Sequence, residues 1–358
     1  MSTPVMAASY LGAGTIEVSP VSVPDPAPGQ VQVEVAFVGI CGTDLHLLHG
    51  AMDSRVTVPA VIGHEMSGRV AAVGAGVTDH RVGDPVTVMP LVWDGTCPAC
   101  AAGHQHVCQH LDFVGIDSPG ALQGRWNVPA SIVVGLPAGT DLRHAALVEP
   151  VAVAVHDVRR GEVAPGDRVV VLGGGPIGLL VAVVARHAGG EVLLLEPDAG
   201  RRAVVEGLGL RTADPVGQDA DLLVQEWTGG AGADVVFEVS GAAPAVLQAT
   251  ALAKVRGTLV VVAIHPQPVP VDLKQVFWRE LRLLGARVYE RADFEEAGRL
   301  LADGVVPTDV MITDVLPLER VADAFTTLEA GGAMKLLVDV GGARVPADAA
   351  SGSTGATA

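Results

Sequence analysis

Basic residues are scarce in this 358-residue chain. Lys and Arg number 23 against 40 Asp and Glu, which gives a formal net charge of −17. Nucleic acid and anionic membrane surfaces both repel a chain of this charge, and no basic run offsets it. The composition therefore argues against both as partners. At 49% hydrophobic residues, the chain is also too apolar to be disordered throughout.

We expect neither a secretory signal nor a membrane-spanning helix from the pattern of apolar residues. The start, MSTPVMAASYLG, has neither the positive region nor the continuous apolar region of a secretory signal. The uncharged stretch 169–185 is broken by GGGP and is shorter than the ~20 apolar residues that a membrane-spanning helix needs. We therefore expect a cytoplasmic protein with no membrane partner.

Cysteine is limited to four residues, which is not a disulfide framework in a chain of this length. Three of them lie in one segment, DGTCPACAAGHQHVC: Cys97, Cys100 and Cys108. This clustering suggests a metal, but three thiolates leave a tetrahedral zinc one ligand short. Asp94 precedes the first thiol by the interval that separates the first two, so its carboxylate is a candidate fourth ligand. His104 and His106 are rival ligands, and three reduced thiols without a metal are the remaining alternative.

The pattern of apolar runs and turns changes near residue 145. Before it, short valine-rich runs such as VQVEVAFVGI are separated by turns such as PDPAPG, which indicates a β-rich region. After it, near-continuous apolar strands alternate with helix-length segments, as in RVVVLGG followed by GLLVAVVARHA. Such alternation indicates a parallel sheet covered on both faces. The tail 341–358 is small and polar, and we predict that it is disordered.

A glycine-rich turn follows the first of these strands. Gly173, Gly175 and Gly178 form GxGxxG in VVVLGGGPIGLL, after a strand and at the start of a helix, with Glu196 at the end of the next strand. The glycines allow a tight turn, close approach of a pyrophosphate, and close packing of helix on strand. The helix N-terminus supplies N–H groups and partial positive charge to the phosphates. The pattern predicts a dinucleotide site.

Glu196 also bears on the choice of dinucleotide. Its carboxylate can accept hydrogen bonds from the adenosine ribose hydroxyls, whereas a 2′-phosphate would face a like charge. The pattern therefore predicts NAD over NADP. Arg201 and Arg202 are a counter-signal, because a nearby arginine can receive a 2′-phosphate.

Further residues with metal-binding side chains occur in GICGTDLHLLHG, IGHEMSGRV and ALVEPVAVAVH. They are Cys41, His64, Glu65 and Glu149. Cys, His and Glu are the residue types of a catalytic zinc site, which has about three protein ligands and one open position. Taken singly, Cys41 fits a small buried hydrophobe and His64 a core histidine. Their joint occurrence beside a dinucleotide motif favours the metal site.

Taken together, these motifs resemble those of the medium-chain, zinc-dependent alcohol dehydrogenases, most closely the branch of polyol, butanediol and threonine dehydrogenases. GICGTDLH, IGHEMSG, VGDPV, the cysteine segment, LVEPVAVAVH and VLGGGPIGLL follow the family's order from about residue 6 to residue 340. The resemblance implies an α/β chain with a GroES-like β-rich catalytic domain, 1–145 and 284–340. An NAD-binding Rossmann domain with a doubly wound parallel sheet, 146–283, lies between those two segments.

The resemblance also implies an activity: zinc-dependent hydride transfer between NAD(H) and a secondary alcohol or ketone of the polyol, diol or amino-alcohol type. A homo-oligomer, either a tetramer or a dimer, is implied as well. The resemblance makes Cys41, His64 and Glu65 the catalytic zinc ligands, with Glu149 as a further ligand or a neighbour through water. Thr43 and His46 match a proton relay that runs through the nicotinamide ribose. The positions that match cofactor contacts are Gly173, Gly175, Ile177, Gly178, Glu196, Arg201 and Ile264.

Two departures from the family pattern matter. Relatives with a complete structural zinc lobe have four cysteines where this chain has Asp94, Cys97, Cys100 and Cys108, so an acidic ligand replaces the first. Leu91 stands where threonine dehydrogenases usually carry histidine, which disfavours L-threonine as substrate. The segment FVGIDSPGALQ and the surroundings of Tyr289 point to no single substrate.

Two other functions fit parts of the pattern. A zinc-free quinone or enoyl reductase of the same superfamily would lack the Cys, His and Glu set, so that set speaks against it. A dinucleotide-binding sensor without catalysis would not need the Thr43–His46 pair. Fold analogy alone does not separate these functions; the site residues do.

Overall fold

The computed structural model describes residues 2–342 and divides into two compact units. The first unit combines the chain up to Glu149 with the chain from Met311 onward, and the second runs from Pro150 to Val310. Both units were expected, but segment 284–310 falls in the second unit instead of the first. The tail predicted to be disordered lies outside the described residues from position 343 on.

The strands and helices are as follows. In chain order, the strands are β1 (Ser2–Gly12), β2 (Thr15–Pro24), β3 (Gln30–Ile40), β4 (Ala60–Val61), β5 (Glu65–Val73), β6 (Pro85–Val88), β7 (Leu91–Val92), β8 (Asp112–Phe113), β9 (Arg125–Pro129), β10 (Val133–Gly135), β11 (Arg168–Leu172), β12 (Glu191–Leu195), β13 (Arg211–Ala213), β14 (Ala233–Glu238), β15 (Ala253–Val261), β16 (Arg282–Gly285), β17 (Ile312–Pro317) and β18 (Lys335–Asp339). The α-helices are α1 (Gly42–Leu48), α2 (Pro98–Ala101), α3 (Leu142–Ala145), α4 (Val148–Arg160), α5 (Pro176–His187), α6 (Ala199–Gly207), α7 (Ala220–Trp227), α8 (Ala243–Leu252), α9 (Leu273–Trp278), α10 (Arg291–Ala302), α11 (Thr308–Met311) and α12 (Val321–Glu329).

The first unit is organised around β3. Its valines at 31, 33 and 35 alternate along the strand and are fully buried, as expected of a strand that packs one face on a core. The main sheet has the order β10-β6-β5-β3-β18-β17, and β9 also pairs with β3. Because β18 runs antiparallel to β3, the C-terminal segment closes onto the strand that leads into α1.

The second unit contains the predicted parallel sheet, in the order β13-β12-β11-β14-β15-β16. All of its strand pairs are parallel, and the valines of β11 are buried because helices cover both faces. The sheet also explains why segment 284–310 belongs here: β16 pairs in parallel with β15 and extends the same sheet. No helix among residues 2–342 has the length and apolarity that a membrane span requires.

A charged cluster joins α4 to α10 inside the second unit. Asp293 on α10 contacts His156 Nδ1 at 2.9 Å and Arg159 Nε at 2.7 Å. Burial of Asp293 favours its neutral form, but the hydrogen bonds from His156 and Arg159 outweigh burial and lower the pKa of Asp293 to about 2. These contacts bind α10 to α4, most of which belongs to this unit, and are a second reason why segment 284–310 lies here.

Asp157, next to this cluster, has the opposite environment. Its side chain is buried, and neither carboxylate oxygen has a hydrogen-bond partner in the described structure. Burial, followed by the nearby charge of Asp293, raises the pKa of Asp157 well above its usual range. The folded protein therefore holds a proton here that the unfolded chain releases near pH 4.

We expect Asp157→Asn to stabilise the protein increasingly as pH rises. The folded state binds the extra proton, so the site loses about 1.4 kcal/mol of stability per pH unit above the unfolded pKa, until the folded pKa is reached. The uncharged amide removes this loss. Urea unfolding from pH 4 to pH 8 measures the difference, with Asp303→Asn at an exposed position as the control. A stability difference that does not change with pH would contradict the prediction.

Candidate functional site

Cys41, His64 and Glu65 come together in the first unit. One ligand atom from each lies within 4.8 Å of the others. Cys41 follows β3 directly, and Glu65 begins β5, the antiparallel neighbour of β3, so that Gly39 pairs with Glu65. A Cβ at position 39 would lie 2.2 Å from Glu65 Oε2, so the glycine makes room for the carboxylate. The strand pairing therefore assembles the group that the separate motifs suggested.

Asp44, which sequence analysis did not single out, supports two members of this group. Its Oδ2 accepts a hydrogen bond from Cys41 N at 2.9 Å, and its Oδ1 faces His64 Nδ1 at 3.5 Å. Burial disfavours a charged ring, but the charge of Asp44 outweighs burial and raises the pKa of His64 well above its usual range. With Nδ1 turned to the carboxylate, Nε2 is the nitrogen left for a metal, the arrangement typical of zinc-binding histidines.

Lys335 is a second residue that the sequence analysis missed. Its Nζ donates to Glu65 Oε1 at 2.7 Å and to the Ile40 carbonyl at 3.2 Å, and both side chains are buried. Burial alone would lower the pKa of Lys335, but the charges of Glu65, Cys41 and Glu149 together raise it. Lys335 thus supplies a fixed cation to the acidic group. Its one sequence signal is a lysine directly before the apolar run LLV at the start of the strand KLLVDV.

The donor set fits a catalytic zinc ion. Thiolate, imidazole and carboxylate provide three protein ligands, and a fourth position stays open for substrate. Glu65 Oε2 is buried and has no hydrogen-bond partner among residues 2–342, as expected of an oxygen that faces a cation. Glu149, in the first turn of α4, is buried but lies outside this compact group.

The predicted relay residues, Thr43 and His46, lie on α1, immediately after Cys41. A spacing of three places them on one face of the helix. Thr43 is half-buried and His46 is exposed, so the pair leads from the neighbourhood of the metal group towards solvent.

The second metal group also assembles within the first unit. Its ligand atoms lie within 4.8 Å of one another: Asp94, Cys97, Cys100 and Cys108. His104 and His106 lie outside the group and stack edge-to-face on each other. Three thiols and one carboxylate complete a tetrahedral zinc set.

The Asp94 carboxylate has several hydrogen bonds. Asp94 Oδ1 accepts from the backbone N–H groups of Cys97 and Thr96, and Oδ2 lies 2.5 Å from His110 Nδ1. The Cys97 N–H and then the His110 ring hold the pKa of Asp94 well below its usual range. The carboxylate is therefore charged and oriented. His110 is another contributor that the sequence analysis did not identify.

The glycine turn after β11 has the geometry that its motif requires. Gly173 has φ +106°, and a Cβ on Gly178 would lie 1.9 Å from the Gly173 carbonyl oxygen. A Cβ on Gly175 would meet no atom within 4 Å, which leaves space for a phosphate at the N-terminus of α5. Ile177 is in the first turn of that helix, and Ile264 follows β15 with 72% of its surface exposed.

Glu196 lies beside this turn. Its Oε2 accepts a hydrogen bond from Gly174 N at 2.6 Å, and its Oε1 accepts one from Asp198 N at 2.8 Å. Arg202 is engaged by the carbonyls of Glu196 and Pro197. Arg201 is therefore the better placed of the two arginines to meet a ligand.

Comparison with known proteins also points to a zinc-dependent dehydrogenase. Residues 27–138 match the family model of the alcohol dehydrogenase GroES-like domain, and residues 176–303 match that of the zinc-binding dehydrogenases. The chain is 49% identical to 2-dehydro-3-deoxy-L-galactonate 5-dehydrogenase of Pseudoalteromonas atlantica, over 94% of this chain and 98% of that protein. It is 32% identical to L-galactonate-5-dehydrogenase of Escherichia coli, over 85% and 89% of the two chains.

A solved structure agrees as well. The crystal structure of a zinc-binding dehydrogenase from Sinorhizobium meliloti, bound to NADP, matches with a TM-score of 0.88 and 34% identity, over 94% of this chain and 99% of that one. The fold and the site thus define a zinc-dependent, nicotinamide-linked oxidoreductase. The chain belongs to the medium-chain zinc-dependent alcohol dehydrogenase family, and it transfers hydride between secondary alcohols and ketones with NAD(H).

We expect Asp94→Ala to lower the zinc content from about two ions to about one per chain, because three thiolates alone leave the tetrahedron incomplete. The thermal midpoint should fall, since structural zinc contributes to folding stability. Metal quantification and thermal unfolding of the purified variant measure both effects. His104→Ala and His106→Ala are the matched controls and should keep both ions. If one histidine variant lost a zinc ion while Asp94→Ala kept both, the fourth ligand would be that histidine.

Proposed function

We propose that the substrate is a six-carbon sugar acid, 2-dehydro-3-deoxy-L-galactonate or a close relative, oxidised at its C5 hydroxyl. The observation that carries the proposal is the 49% identity to an enzyme named for this reaction, which extends over nearly the full length of both chains. The relative named as an L-galactonate-5-dehydrogenase supports the same substrate class and the same carbon. Leu91, in place of the histidine common in threonine dehydrogenases, agrees with a substrate other than L-threonine.

Cys41, His64 and Glu65 hold the catalytic zinc in this proposal, and Glu149 lies nearby as a further ligand or a neighbour through water. Zinc supplies Lewis acidity, which lowers the pKa of the substrate hydroxyl. Asp44 keeps His64 in the orientation that binding requires. Lys335 offsets the negative charge of the ligand set and holds Glu65 by one oxygen. The other group, headed by Asp94, holds a structural zinc.

The proton of the hydroxyl leaves by way of Thr43 and His46. The Thr43 hydroxyl accepts and donates in turn, and the exposed His46 imidazole passes the proton to solvent. The bound NAD⁺ would accept the hydride. The task of the glycine turn, Ile177 and Ile264 is to hold and orient that cofactor.

NAD is the preferred dinucleotide in this proposal. The Glu196 carboxylate is buried beside the glycine turn, where a 2′-phosphate would have to approach a like charge. The NADP-bound relative shows that the family also accommodates the phosphate, and Arg201 is the residue here that can receive it.

Two further properties belong to the proposal. The chain forms a homo-oligomer, a tetramer or a dimer. β16 is the last strand of its sheet, and Phe277 and Trp278 nearby are large exposed side chains, so a second copy can pair with this edge by two-fold symmetry. Sedimentation analysis tests this, and a monomer would contradict it. A cytoplasmic location is supported by the four cysteines, none of which forms a disulfide, because that compartment keeps thiols reduced.

The substrate proposal is tested by NADH formation with 2-dehydro-3-deoxy-L-galactonate, L-galactonate, sorbitol, 2,3-butanediol and L-threonine. We expect kcat/KM for the sugar acids to exceed that for the uncharged polyols by about 100-fold, because a site built to pair with a carboxylate is left with unpaired polar groups when the substrate has none. Cys41→Ala should lower kcat by about 10³-fold while NADH still binds. Equal rates on all alcohols would overturn the sugar-acid assignment, and an active Cys41→Ala would overturn the zinc ligand set.

Glu196→Gln tests the basis of NAD preference. The amide oxygen still accepts a hydrogen bond from Gly174 N, but the charge is gone, so NADPH should gain on NADH by about tenfold in relative Kd. Fluorescence titration with both reduced cofactors measures the ratio. An unaltered ratio would shift the discrimination to Arg201.

A further inference from the structure

The order of the parallel sheet shows where each half of a dinucleotide belongs. The chain leaves β11 first towards β12 and later towards β14, so the sheet has its switch point between β11 and β14. Ligands of such sheets bind at the carboxyl ends of the strands beside the switch point. Glu196, the ribose-binding candidate, follows β12 on one side. The nicotinamide half must then extend over the ends of β14 and β15 on the other side.

A buried carboxylate, Glu238, ends β14 at this point. Its Oε1 accepts three hydrogen bonds: from Ser240 N at 3.0 Å, Ser240 Oγ at 2.7 Å and Gly241 N at 2.9 Å. These bonds fix the loop after β14. The loop lies close to the glycine turn, since a Cβ on Gly173 would be 3.1 Å from Ser240. One carboxylate oxygen is thus fully used by a loop that borders the phosphate site.

The other oxygen of Glu238 reaches the loop after β15. Glu238 Oε2 lies 3.1 Å from His265 Nε2, and since a carboxylate only accepts, this nitrogen donates. The Glu238 carbonyl accepts hydrogen bonds from Val262 N and Ala263 N. Segment 262–265 is therefore fixed at both ends to one residue.

Two features of this segment point to a ligand. Ile264, between the fixed residues, leaves 72% of a large apolar side chain exposed. His265 Nδ1 is buried and has no hydrogen-bond partner in the described part of the chain. An apolar side chain held at the end of a parallel strand offers a contact surface for a flat aromatic ring such as nicotinamide.

We propose that the Glu238–His265 pair positions segment 262–265 against the nicotinamide half of the bound dinucleotide, so that His265 is a cofactor-positioning residue. This inference rests on the proposed dinucleotide site of the second unit. His265 acts through Ile264 and the backbone of its segment, and Glu238 ties that segment to the loop that touches the glycine turn.

The experiment compares whole and half cofactors on the full-length protein. NADH and AMP are titrated by calorimetry against wild type, His265→Ala, His265→Gln and the control His187→Ala. His187 is exposed at the far end of α5. We expect His265→Ala to raise the Kd of NADH about tenfold and to leave the Kd of AMP within about twofold of wild type. His265→Gln should recover most of the NADH affinity, because its amide N–H can donate to Glu238.

The remaining outcomes overturn the inference in distinguishable ways. An unchanged NADH Kd in His265→Ala would remove the positioning role. Equal weakening of NADH and AMP, together with a lower thermal midpoint, would reduce His265 to a residue that supports the fold alone. A wild-type protein that binds AMP but not NADH would overturn the proposed function of the unit itself, and the inference with it.

Discussion

Charge balance governs the interior of the first unit. The buried Glu65 and Glu149 and the half-buried Cys41 can each carry negative charge, and such groups repel one another unless a cation is near. Lys335 is that cation, and it is covalently part of the strand that closes the sheet. Because β18 pairs with β3, the same strand pairing that completes the fold brings the ammonium group to the carboxylate of Glu65, a candidate metal ligand. Stability and function therefore depend here on one piece of topology.

In the second unit, two buried carboxylates hold the loops on either side of the glycine turn. Glu196 follows β12 and Glu238 ends β14, the strands on either side of β11. Each accepts backbone N–H groups from a loop that borders the dinucleotide crevice, Glu196 from Gly174 and Glu238 from Ser240 and Gly241. A carboxylate bonded in this way is a rigid support, because loop N–H groups without a partner are costly to bury. The glycine turn thus lies between two supported loops.

Much of this was predictable, because the motifs are local. GxGxxG specifies its own turn: the contact of Gly178 with the Gly173 carbonyl arises within a few residues of chain. The cysteine segment likewise brings all four of its candidate ligand atoms together within residues 94–108. Asp44 and His110 also escaped prediction although their partners Cys41 and Asp94 are near in sequence, but two other missed residues have partners on separate strands. Lys335 and Glu65 are separated by 270 positions, and His265 and Glu238 belong to different strand ends.

By itself the sequence determined the parallel sheet, the glycine turn and the family, and it indicated most residues of the two candidate metal-binding groups, since periodicity, spacing and residue type are all properties of short segments. Only the tertiary structure decided which atoms face one another. In the folded chain His64 Nδ1 faces Asp44, Lys335 donates a hydrogen bond to Glu65, and segment 284–310 belongs to the unit with the parallel sheet. The physical reason is that hydrogen bonds and ion pairs act over a few ångströms, and strand pairing across long stretches of chain determines which side chains come that close.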